Sequence, residues 1–128
     1  MPPFRPKHLA VISLRAEDVP KTVHFYRDVL GLALLPHHGH RPAFELDGLY
    51  LVIVEGPPAP AQDSKSSRFP SLAFAVEDLD EAIEHLQAHD VDIPWGIEAS
   101  QEGRWVMFYD PAGNLIEFVQ FGVDESQV

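Results

Sequence analysis

Two stretches of the chain, "VISLRAEDVPKTVHFY" at 11–26 and "SLAFAVEDLDEAIEHL" at 71–86, share one change of hydrophobic rhythm. Each opens with strand-like alternation, breaks at an aspartate, and continues with helical spacing. Displaced by 60 residues, Leu14 meets Phe74, Ala16 meets Val76, Glu17-Asp18 meets Glu77-Asp78, Val19 meets Leu79 and Val23 meets Ile83. Val19, Val23, Tyr26 and Leu30 fall at i, i+4, i+7 and i+11 of the first helix, and Leu79, Ile83 and Leu86 repeat the spacing in the second. Asp18 and Asp78 suit N-caps, because a carboxylate there accepts free amide hydrogens of the first turn. Glu81 makes the second cap close to a capping box. Pro20 sits early in the first helix, where no intrahelical bond is lost, and Gly31 suits a left-handed C-cap. Both aspartates are therefore read as structural.

The copies continue alike. "AFELDGLYLVIV" (43–54) predicts two strands around the hairpin signal Asp47-Gly48. "WVMFYDPAGNLIEFVQF" (105–121) predicts a second hairpin turned by Pro111, Gly113 and Asn114. The remaining strand of each half is assigned to "ALLPHHGHR" (33–41) and "VDIPWGI" (91–97). The Pro- and Ser-rich stretch 56–69 reads as a linker between module one, 8–55, and module two, 70–121. The expected fold is a single α+β domain of two βαβββ modules.

Composition narrows the function. A net charge of -11 opposes a nucleic-acid partner and is compatible with a cationic ligand or with plain solubility. The chain has no cysteine, which excludes disulfides, thiolate chemistry and cysteine-ligated zinc. The first residues show no secretory h-region, and the longest apolar run, "LYLVIV" at 49–54, is too short for a bilayer. A cytoplasmic protein without membrane partners is expected.

The pieces "EDVPKTVHFYRDVLGL" (17–32), "LAFAVEDLDEAIEHL" (72–86) and "FYDPAGNLIEF" (108–118) resemble the vicinal oxygen chelate superfamily, which includes glyoxalase I, extradiol dioxygenases and the fosfomycin- and bleomycin-resistance proteins. The resemblance implies that eight strands curl into an open cup with helices outside, that a ligand binds within it, and that the chain forms a homodimer. In metal-using members, four strand positions hold a divalent ion that polarises two neighbouring substrate oxygens. Carried onto this sequence, the first lies seven residues before each capping aspartate, at Val11 and Ser71. The others are Glu117 in "GNLIE" and, aligning Gly48 with Gly113, Val52. Valine offers no donor and a neutral serine hydroxyl is a poor one, so one carboxylate is left and the usual metal site is expected to be absent. His8 is three residues from Val11, hence on the opposite face of an extended strand. His37, His38 and His40 could bind zinc or nickel, but nothing supplies an obvious fourth ligand, and a solvated loop is the plainer reading. His24, His85 and His89 are read as ordinary helix residues.

Taking Val11 and Ser71 as inward, strand parity adds Tyr50, Val52, Trp105, Met107, Tyr109 and Glu117 to the cavity wall. Ile12, Leu14, Leu72, Phe74, Val106, Phe108, Ile116 and Phe118 then form core. Glu117 should have a raised pKa among such walls. It would orient a ligand's donor group, pair with a ligand cation or act as a general base, or be held by Ser71, Tyr109, water or a neighbouring amide. The expected function is binding of a small, partly apolar molecule with no cofactor and no catalytic metal. The alternative is a metal-dependent lyase, isomerase or dioxygenase of the same superfamily.

Overall fold

The computed structural model describes residues 2–35, 41–57, 64 and 68–122. It falls into two compact units, 1–56 and 57–128. In the first, strand β1 (Val11–Ala16) leads to helix α1 (Val19–His24), then to β2 (Ala33–Leu34), β3 (Ala43–Leu46) and β4 (Leu49–Glu55). The second repeats the series with β5 (Leu72–Ala75), α2 (Leu79–Ala88), β6 (Glu98–Ser100), β7 (Gly103–Tyr109) and β8 (Leu115–Phe121). The sheet orders are β1-β4-β3-β2 and β5-β8-β7-β6. In each, the first strand pairs in parallel with the last and the other pairings are antiparallel. The architecture is α+β, with two βαβββ modules.

The helix caps form as the sequence predicts. The Asp18 carboxylate accepts from the Lys21 amide at 3.1 Å, and Asp78 accepts from Glu81 at 3.2 Å. The start of α2 is further tied to β8, since the Leu79 amide donates to Gln120 Oε1 at 2.8 Å. The first helix does not run on uniformly to Leu30. From Phe25 to Val29 it widens into a π-helical turn, closed by the Leu30 amide on the Phe25 carbonyl at 3.0 Å. Beyond it Gly31 takes φ +76°, the left-handed C-cap its sequence position predicts. The wider turn carries buried Phe25 and Tyr26, and the Tyr26 ring lies 6.0 Å from that of Phe44 on β3.

Each module has its core between helix and sheet. Leu14, Phe44, Leu51 and Ile53 are buried in the first, and Leu79, Leu86, Val106, Phe108, Ile116 and Phe118 in the second. Alternate residues of the same strands, Val11 and Ser13, Ser71, Ala73 and Ala75, are exposed. Each sheet thus has one face closed by its helix, in the parity predicted for the core residues; on the other face of the second sheet Ala73 and Ala75 are exposed, whereas Met107 and Leu115 are buried. The Asp47-Gly48 hairpin forms with φ of 51° and 90°, a turn whose twist suits the flanking strands.

Two of the expected strands differ in the structure. Of 33–41, only Ala33–Leu34 forms a strand in the described part, and His37, His38 and His40 lie outside the described residues. Residues 91–97 form no strand. They make a turn at Pro94-Trp95, with Gly96 at φ +65°, and the strand follows at Glu98–Ser100. The physical cause is Pro94, which has no amide hydrogen for a ladder.

Candidate functional site

The open face of the second sheet gathers most of the predicted ligand-wall residues. Register sets them in rows. Ala73, Glu117 and Met107 stand side by side across β5, β8 and β7. The next row is Ala75, Val119, Trp105 and Glu98. On the other side of Glu117, Tyr109 faces Leu115, whose carbonyl accepts from the Ser71 amide at 2.7 Å. A hollow of about 320 Å³ opens beside Glu117 toward β6 and the start of β7, lined by Ser100, Glu102, Gly103, Trp105, Glu117, Val119 and Phe121.

Glu117 is half-buried. Burial raises its pKa above the ordinary glutamate value, and the negative charge of Glu98 raises it further. Neither Ser71 nor Tyr109 holds it among the described residues: the Tyr109 hydroxyl is buried and has no hydrogen-bond partner. Glu98 Oε1 is likewise buried and unpartnered. Its other oxygen takes a hydrogen-bonded ion pair from Arg68, whose side chain is only 6% exposed. The Arg68 guanidinium lies 4.3 Å from the centre of the Trp95 ring, and that indole meets Tyr109 edge-on at 6.0 Å. A wall of Glu98, Arg68, Trp95 and Tyr109 therefore borders the Glu117 face.

Arg68, Trp95 and Glu98 are absent from the sequence-derived set. Arg68 sits at the end of a stretch that reads as linker, and Glu98 lies just past the misassigned strand. An arginine beside a phenylalanine at the end of a Ser-rich run was the one available signal.

In the first module, Val11 pairs with Tyr50 and Val52 with Ser13, all on the open face. Val11 is 52% exposed, and Tyr50 and Val52 are half-buried. The offsets repeat. Val11 beside Tyr50 corresponds to Ser71 beside Leu115, and Val52 to Glu117, so the alignment of the two copies agrees with the register. His8 precedes β1 and is exposed, its Nδ1 donating to the Leu9 carbonyl at 3.1 Å.

The four positions to which the resemblance carries metal ligands are occupied here by Val11, Val52, Ser71 and Glu117. This donor set does not fit a divalent ion, which needs several charged or imidazole ligands. Among the described residues no group of three or more His, Cys, Asp or Glu is arranged to hold one.

Against known proteins, the family model of the Glyoxalase/Bleomycin resistance protein/Dioxygenase superfamily matches residues 5–118. The chain belongs to this superfamily. Within the superfamily it is 28% identical to YaeR of Escherichia coli, an uncharacterized protein, over 88% of this chain and 93% of that one. It is 27% identical to the metallothiol transferase FosB of Staphylococcus haemolyticus, over 83% and 78% of the two chains. Its fold matches the crystal structure of a glyoxalase/dioxygenase from Nostoc punctiforme with a TM-score of 0.77, at 24% identity, covering 96% of this chain and 97% of that one. Among the described residues of this superfamily member, no helix is long and apolar enough to cross a membrane.

Proposed function

We propose that the protein binds a small, partly apolar molecule on the Glu117 face of its second module, without a catalytic metal. One observation carries this reading. Two buried polar atoms bordering that face, the Tyr109 hydroxyl and Glu98 Oε1, have no hydrogen-bond partner among the described residues, and half-buried Glu117 beside them has a raised pKa. Leaving a buried polar atom unpaired costs about 1–3 kcal/mol, and Glu117, which lines the hollow beside them, is the group open to a ligand's hydrogen-bond donor. The surroundings, Trp95, Trp105, Met107 and Val119, supply the apolar contact typical of small-molecule sites. The net charge of -11 adds attraction for a ligand carrying an amine. The resemblance adds a homodimer to the proposal, which light scattering on the purified protein reads directly.

The test uses a convenient fact: both tryptophans of the chain, Trp95 and Trp105, border this face. Phenylalkylamines and their alcohol isosteres are titrated while tryptophan emission is followed. Saturable binding is expected, at least tenfold weaker for the amines in Glu117→Gln. No saturable response from any member of the panel overturns the reading.

A second reading, a divalent-metal-dependent enzyme, is favoured by the similarity to FosB, whose name is metallothiol transferase. It requires one ion per chain in contact with Glu117 and donors beyond the four positions above. Elemental analysis after metal loading, with Glu117→Gln as control, decides between the two.

A further inference from the structure

The second module carries a pair of imidazoles on the other side of its sheet. His85 and His89 stand four residues apart at the C-terminal end of α2, exposed, with ring centroids 4.5 Å apart. Helix α2 packs on β7 and β8 through buried Leu79 and Leu86. It covers the face that Ile116 and Phe118 close, and Glu117 alternates to the opposite one. The imidazoles are therefore separate from the site described above.

The orientation of His89 is informative. Its Nδ1 lies 3.0 Å from the carbonyl oxygen of His85. A carbonyl only accepts, so Nδ1 carries the proton, and in the neutral ring the lone pair is on Nε2. Binding one ring nitrogen to a backbone carbonyl is how proteins hold a metal-ligating imidazole in its tautomer. His85 need contribute only one of its two nitrogens, and residues four apart on a helix present their side chains to the same side.

We propose that His85 and His89 form a bidentate site for a transition-metal dication of the Ni²⁺, Cu²⁺ or Zn²⁺ class. Imidazole suits these ions, whereas Mg²⁺ and Ca²⁺ require oxygen ligands. No third histidine or carboxylate joins the pair among the described residues, so water completes the coordination and the ion exchanges readily. The net charge of -11 draws cations to the surface. The bound ion clips the last turn of α2, where His89 departs from helical geometry at φ -103° and ψ 18°.

Nickel titration of the full ¹⁵N-labelled chain, followed by paramagnetic broadening, tests the site. The starting protein carries His37→Asn, His38→Asn and His40→Asn, which removes the other run of histidines. Broadening centred on residues 85–89 is expected at substoichiometric Ni²⁺. In His85→Ala and in His89→Gln, at least tenfold more Ni²⁺ is needed for the same broadening, with circular dichroism unchanged because both side chains are exposed. The same titration with Glu117→Gln leaves the broadening in place. Absence of broadening at 85–89 in the triple-Asn protein, or its persistence after either histidine is replaced, overturns the site.

Discussion

Glu117 shows how one side chain is set by the strand that carries it. Its neighbours Ile116 and Phe118 point into the core, so alternation turns the carboxylate to the open face. There the fold favours its protonated form, by burial first and by Glu98 second. A raised acid pKa contributes stability in full below the unfolded-state value, and this is lost as pH rises through the folded-state value. Glu117→Gln is therefore expected to be more stable than the parent at neutral pH and to flatten the stability profile in the mildly acidic window between those values. Urea unfolding at a series of pH values measures it, and parallel curves for the two proteins would refute it. The acid itself was legible from its place in "GNLIE", and its facing from strand parity. Its coupling to Glu98 was not, because Glu98 lies on β6 and is brought to the Glu117 face only by the pairing of β6 with β7 and of β7 with β8.

Among the elements, the caps, hairpins and paired helices could be read because each is specified locally. An aspartate before a periodic run, an Asp-Gly between apolar runs and a glycine after a helix each act within a few residues. The π-helical turn at Phe25–Val29 and the late start of β6 could not, since apolar spacing does not distinguish a widened turn from a regular one and a three-residue edge strand has too few positions to show a period. Gly103 belongs with these. Its requirement is set by another strand: a Cβ there would stand 2.3 Å from the Gln120 carbonyl oxygen and 2.7 Å from the Gly122 nitrogen. Gly103→Ala must spread the start of β7 from the end of β8, and a loss of about 3 kcal/mol is expected in denaturant unfolding. A midpoint equal to that of the parent would show that the strands part at no cost. The same substitution reaches the hollow beside Glu117, because Gly103 lines it.

At the scale of the molecule, the sequence repeat and the sheet order express one plan used twice, and the plan was legible because both copies keep their hydrophobic rhythm. Charge is distributed differently, with 20 acidic against 9 basic residues. Such an excess repels itself, and salt screens repulsion over about 10 Å at 0.1 M. The melting temperature is expected to rise by a few degrees as sodium chloride increases from 10 to 200 mM, by about 4 °C for each kcal/mol of relief in a chain of this size. A melting temperature that falls with salt would mean that favourable ion pairs outweigh the net charge. Arg68 has a bearing on the continuity of the chain. A protease that cuts after arginine must draw the guanidinium into its own specificity pocket, and here that group is stacked on an indole and tied to a carboxylate. The peptide bond that follows it is thus withheld from trypsin for as long as the second module stays folded.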